Sequence, residues 1–287
     1  MKKFLCTLTL LAILAGTSYA DGDYVGLLSR LRTTPEEFFS LMRSSWSTNG
    51  WAILGDDHTT SKARFYDSLV QMQMALSRGD IDEMILPDFV AEYLLKTSTN
   101  YTPCCVSNSA PMTLCFGFMK DRSNLRERWN SALRSMRNDF TLSGFFQKYV
   151  KNFPPDETYD AIYGINPKKK RKEYRITFEK FPDAPTVNVA VTGDLPPVDF
   201  VDESGLPAGY STAVLAEIGR RLKLNIRIIQ VDTASRTAAI VSGKADVVFW
   251  YEVSKMTDKY LDVPDDVILS EPYLGWNTFM HLRFDED

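Results

Sequence analysis

Histidine is nearly absent from this chain: His58 and His281 are the only two among 287 residues. Neither lies beside a visible nucleophile, so the composition offers no nucleophile–base pair for covalent catalysis. Cysteine is scarce too, with four in all. Their spacing resembles no zinc motif, so no metal and no cofactor is expected. A charge excess is also missing, since 33 basic and 37 acidic residues leave a net charge of −4. That balance gives no electrostatic reason to expect nucleic acid as a partner. After residue 20, no apolar run reaches the ~20 residues that a membrane-spanning helix needs.

The first twenty residues, MKKFLCTLTLLAILAGTSYA, read as a secretory signal. Lys2 and Lys3 precede a short apolar run, and Ser18-Tyr19-Ala20 offers small residues for cleavage after Ala20. A periplasmic or secreted protein is therefore expected. Three cysteines would remain. In an oxidising compartment Cys115 is expected to bridge Cys104 or Cys105, with a vicinal Cys104–Cys105 disulfide as the alternative. With 44% hydrophobic and 24% charged residues, the composition is that of an ordinary globular protein. The length after residue 20 suits two lobes of about 130 residues each. The basic block Lys168 to Lys172 sits after Pro167 and reads as a solvated loop.

Periodicity predicts strands over 23–28, 51–54, 81–86, 111–119, 173–181, 186–191, 225–231 and 245–250. It predicts helices from Thr34-Pro35, over 67–76, 89–95, 124–136, 142–150, 211–222 and 235–241. In the helix over 211–222, Val214, Leu215, Ile218 and Leu222 share one face. Residues 151–172 are polar and proline-bearing, as a connector would be. Strands alternating with helices beyond residue 185 predict an α/β lobe with parallel strands.

The run PTVNVAVTGDLPPVDFVDESGLPAGYSTAVLAEIGR over residues 185–220 resembles the opening of the first lobe of the bacterial extracellular solute-binding proteins, family 3. Ser242-Gly243-Lys244-Ala245-Asp246 resembles the family's turn into its third strand, and Ser270-Glu271-Pro272-Tyr273 its approach to the first hinge strand. Residues 65–150 resemble the second lobe and closing helices: Tyr66-Asp67-Ser68, Ser77-Arg78-Gly79-Asp80, the returning hinge strand at Phe116-Gly117-Phe118, then two helices. The halves come in reversed order, so the resemblance implies a circular permutation. Its fold would be α/β, the two-lobed type 2 periplasmic-binding-protein fold, with mixed sheets and helices on both faces. The implied division is a signal at 1–20, one lobe at 21–115, a hinge strand and closing helices at 116–150, the connector at 151–172, and the other lobe at 173–287. A swapped dimer of two half-proteins is the competing arrangement; a monomer is expected.

The resemblance implies capture of a small polar solute between two lobes, without catalysis, for an ABC transporter permease. The candidate ligand contacts are Asp194, Asp199, Tyr210, Arg236, Trp250, Tyr251, Lys259 and Tyr273 from the later half, and Tyr66, Ser68 and Asp88 from the earlier half. Two departures from the amino-acid-binding pattern stand out. Lys259 stands where an arginine is usual, and a lysine lacks the two-pronged fork that grips a carboxylate. Asp88 lies one residue beyond the usual position of the acid that meets an ammonium group. Arg236 opens a helix and suits an anion, with a surface ion pair as the alternative. Trp250 and Tyr251 close a strand where α/β crevices lie, whereas Phe249 reads as core. Two further functions remain open: a dehydratase-like enzyme on the same fold, for which His58 is the acid–base candidate, and a sensor or interaction module that has lost its ligand.

Overall fold

A computed structural model describes residues 24–28, 62–66, 68–153, 173–232, 235–254 and 263–285. The expected signal segment, the elements expected at Thr34 and 51–54, the basic block, His58 and Lys259 lie outside them. In chain order the strands and helices are β1 Tyr24–Leu28, β2 Lys62–Tyr66, α1 Leu69–Ser77, β3 Glu83–Pro87, α2 Asp88–Thr97 and β4 Tyr101–Met119. A 3-10 turn, Lys120–Arg122, leads into α3 Ser123–Asn138 and α4 Thr141–Phe146, followed by one wide helical turn, Gln147–Lys151. The chain continues with β5 Thr186–Val191, β6 Asp194–Leu195, β7 Asp199–Val201, β8 Pro207–Ala208 and α5 Tyr210–Leu222. It ends with β9 Asn225–Gln230, α6 Arg236–Val241, β10 Val247–Ser254, β11 Val267–Leu269 and β12 Leu274–Phe284. Among the described residues, no helix is long and apolar enough to cross a membrane.

The chain divides into two compact units. The first comprises Met1–Met112, Glu252–Leu261 and Gly275–Asp287; the second comprises Thr113–Tyr251 and Asp262–Leu274. In the first unit β1 lies between β2 and β3, parallel to both, and β12 runs antiparallel along β3. Every residue of β3 is buried, the pattern of a strand covered on both faces. Its core is aliphatic and methionine-rich: Met72, Ile81, Met84, Leu86 and Val90 are at most 1% exposed. Ser68 caps α1 by accepting a 3.2 Å hydrogen bond from the Gln71 N–H, which satisfies one of the donors a helix start leaves open.

In the second unit β5 lies between β9 and β10, parallel to both. Helix α5 connects β5 to β9, and α6 connects β9 to β10, so each parallel pair has the crossover it requires. The core here is aromatic. Trp129 of α3 is fully buried, with its ring 5.6 Å from both Phe116 and Phe118. Phe116 in turn stacks on Tyr273 at 4.5 Å. Helix α3 meets α5 through Arg221, which donates 2.7 Å to Ser135 Oγ and 2.9 Å to Thr141 Oγ1 and pairs with Asp139 at 2.8 Å. The helices that precede β5 in sequence thus pack on the helix that follows it.

Two glycines are sterically required. Gly117 leaves room for the Tyr251 ring, into which any Cβ at that position would run. Gly209, at φ +100°, precedes α5 where a Cβ would lie 2.5 Å from the Val198 carbonyl oxygen. The Pro196–Pro197 peptide is cis.

Two expectations are corrected. Residues 175–181 form no strand, although their exposure alternates. Alternation alone makes no strand without a neighbouring ladder; here Asn225 fastens the end of the segment by accepting from Phe181 N at 2.9 Å and donating to the Phe181 and Ala184 carbonyls. None of Cys104, Cys105 and Cys115 is in a disulfide. All three lie on β4, where a rise of about 3.3 Å per residue puts ten residues far beyond disulfide reach. The Cys104 and Cys105 sulfurs stand 3.6 Å apart, unbonded.

Candidate functional site

The chain path of the second unit creates a switch point. From β5 it moves through α5 to β9 on one side, then through α6 across β5 to β10 on the other. The connections leaving the adjacent strands β9 and β5 thus run to opposite sides, and such a point is where open α/β sheets bind ligands. The loop Thr192-Gly193-Asp194 leaves β5 at this point, and Phe249-Trp250-Tyr251 is the corresponding part of β10.

The loop is held from within. Asp199, 2% exposed, accepts hydrogen bonds from the Thr192 N–H at 3.3 Å, the Thr192 hydroxyl at 3.1 Å and the Gly193 N–H at 2.9 Å. One carboxylate oxygen thus sets the turn at φ +72° that Gly193 adopts. Tyr210 and Tyr273 are buried as well. The Tyr210 hydroxyl donates 2.6 Å to the Tyr273 carbonyl, and the Tyr273 hydroxyl lies 3.3 Å from Ser211 Oγ. Burial pushes both phenols above their ordinary range, so both are neutral hydrogen-bonding groups near neutral pH.

Arg236 is 5% exposed, with its guanidinium carbon 5.5 Å from the centroid of the Tyr251 ring. It is not at the surface. A buried guanidinium over a ring face gains from the ring's negative quadrupole. Tyr251 itself belongs to an apolar cluster with Ala190, Ile240, Val248 and Val267, and Phe249 is buried as expected. Trp250 lies in β10. Asp194 is half-buried, in β6 directly beyond the β5 turn.

The remaining candidates fall in the first unit. Tyr66 closes β2 and is half-buried, Ser68 is occupied as the α1 cap, and Asp88 opens α2 half-buried. Within the second unit the fold unites Asp199 with the β5 loop, Arg236 with Tyr251, and Tyr210 with Tyr273.

Sequence reasoning overlooked Glu83 and set His281 aside; the β3–β12 pairing brings both beside Cys104 and Cys105 in the first unit. Burial pushes the Glu83 carboxyl up, but His281, Cys104 and Arg283 together outweigh that and hold it below its ordinary value. The hydrogen bond with Cys105, burial and the Glu83 charge raise the Cys104 thiol. No local motif announces this group, because its members lie up to 198 positions apart.

Residues 187–263 match the bacterial extracellular solute-binding proteins, family 3. The matched segment contains β5, the Asp199-held loop, α5, β9, α6 and β10, which together form the switch point. No curated protein sequence matches the chain. Among solved structures it is similar to the PBP AgaA of A. tumefaciens R10 in complex with agropinic acid, at 10% identity and a TM-score of 0.41 over 77% of this chain and 54% of that one. It is similar to the periplasmic aliphatic sulphonate binding protein SsuA of Escherichia coli, at 12% identity and a TM-score of 0.39 over 92% and 65%. The reduced OxyR regulatory domain of Pseudomonas aeruginosa aligns at 8% identity and a TM-score of 0.37 over 92% and 89%. The chain spans about half the length of the first of these proteins and just under two thirds of the second. At TM-scores below 0.5 these likenesses establish no function.

Proposed function

We propose that the protein is an extracytoplasmic solute-binding protein, circularly permuted relative to its family, that captures a small polar solute and delivers it to an ABC transporter without chemistry. The carrying observation is the family segment at 187–263 folded around the β5/β10 switch point. The permuted order is supported by α3 and α4, the counterparts of the family's closing helices, which precede β5 in the chain yet pack on α5. Asp194, directly beyond β5, is the solute contact this reading favours in the second unit.

The test is thermal unfolding against a panel of amino acids, polyamines, sulphonates and small organic acids. A true ligand stabilises by mass action, about 2.7 kcal/mol at a hundredfold excess over Kd. Asp194→Asn should abolish that ligand-induced rise and leave the ligand-free midpoint in place. Failure of every compound in the panel to raise the midpoint would refute solute binding.

A further inference from the structure

We propose that Glu83, Cys104, Cys105 and His281 form a closed four-ligand site for a divalent zinc-class metal ion, separate from the solute-binding region. One donor atom from each lies within 4.8 Å of the others. The donors come from three strands of the first unit: Glu83 from β3, the cysteines from β4 and His281 from β12. A tetrahedral zinc ion bound at about 2.3 Å by sulfur and about 2.0–2.2 Å by nitrogen and oxygen has a sulfur–sulfur edge of about 3.8 Å and a nitrogen–oxygen edge of about 3.4 Å. The Cys104–Cys105 sulfurs stand 3.6 Å apart, and His281 Nδ1 lies 3.5 Å from Glu83 Oε2. Those two edges are close to what the ion requires, and Cys104 Sγ is in direct contact with Glu83 Oε1.

The histidine carries the second observation. His281 is 1% exposed, and its Nδ1 is buried with no hydrogen-bond partner. Such an atom costs free energy unless something occupies its lone pair. Its other nitrogen, Nε2, lies 2.9 Å from the hydroxyl of buried Ser107. With the proton on Nε2, donated to Ser107, the Nδ1 lone pair is left beside the Glu83 carboxylate. This is the way outer groups orient a metal-binding imidazole.

The donor chemistry selects the ion. Two sulfurs exclude magnesium and calcium, which take oxygen ligands. The carboxylate and imidazole beside them favour zinc over cuprous copper. Four protein ligands leave no open position, so the site is structural rather than catalytic. On binding, the ion displaces both thiol protons to solvent and reverses the preference of Cys104 for its protonated form. Two thiolates, one carboxylate and a divalent ion sum to one negative charge. Arg283, with Nε 3.7 Å from Glu83 Oε1, stands beside it.

The experiment uses the full chain, reduced, stripped with a chelator and titrated with zinc ion, with cobalt(II) as the spectroscopic probe. One equivalent should bind, and cobalt should show the intense near-ultraviolet band of thiolate ligation. The double variant Cys104→Ser with Cys105→Ser should lose the band and bind zinc more than about 100-fold more weakly, beyond the range of outer-shell changes. Ser107→Ala keeps every ligand and should weaken binding about 10-fold or more. Cys115→Ser should bind as the parent does. Circular dichroism of each metal-free variant separates lost ligation from lost folding. Unchanged zinc affinity in the double variant, absence of the cobalt–thiolate band, or a stoichiometric Cys104–Cys105 disulfide in protein isolated without reductant would each overturn the site.

Discussion

In the second unit Asp199, Tyr210 and Tyr273 direct their polar atoms at neighbours within that unit; in the first, His281 Nδ1 has no hydrogen-bond partner and faces two thiols and a carboxylate. Both arrangements are buried, and their meanings differ. A buried polar group that is fully satisfied shapes the backbone around it, as Asp199 shapes the Gly193 turn. In the convergent group of the first unit Cys104 donates to Glu83, and the one buried nitrogen left over, His281 Nδ1, calls for a partner. The cores differ in parallel: aromatic rings supply hydroxyls that tie the second unit together, while aliphatic and methionine side chains around β3 offer no such partners.

Three perturbations probe this contrast, beginning with the largest expected effect. Trp129→Ala should lower the stability of the second unit by about 4 kcal/mol in urea unfolding, since it empties a fully buried aromatic site. A loss below about 1 kcal/mol would detach α3 from that core and remove the packing evidence for the permuted order. Next comes Asp199→Ala, which orphans the Thr192 and Gly193 N–H groups and should cost about 2–3 kcal/mol in the ligand-free protein. If stability instead held while ligand-induced stabilisation vanished, Asp199 would be a solute contact, and the contrast between the units would fail.

The smallest effect is electrostatic. Burial raises the Glu271 carboxyl, but Arg137 and Arg134 outweigh that and bring it below its ordinary value of 4.5. Between the folded value and 4.5 the unfolded chain binds more protons, so this contribution is present above 4.5 and is lost as pH falls through the folded value. Glu271→Gln should flatten that acid arm by lowering the neutral plateau slightly, a small loss because the group is largely solvent-screened, and leave stability at the acid end unchanged. An unaltered acid arm would show that the Arg134–Glu271–Arg137 contacts carry no folding free energy.

Much of the second unit was legible in one dimension. The strand expected over 186–191 is β5 residue for residue, and the helix expected over 211–222 differs from α5 by one position. Both follow from side-chain periodicity, which a single segment expresses by itself. The strand expected from 111 begins ten residues earlier, at Tyr101. Its first half is polar, carries Pro103 and is stabilised by pairing that local sequence does not display. Conversely, 173–181 alternates like a strand but lacks a ladder. Among the candidate ligand groups, position in sequence located the strand-end loop well. It did not reveal that Asp199 is occupied by Thr192 and Gly193, or that Tyr251 fills the space above Gly117.

Sequence alone determined the α/β character of the later half, its helix and strand periods, and the family resemblance of 187–263, because these are properties of short contiguous segments. Tertiary structure decided which polar groups are satisfied and which converge. The pairing of β3 with β12 sets Glu83 beside His281, nearly two hundred positions later. Such proximity depends on strand register across the fold, and no spacing along the chain encodes it.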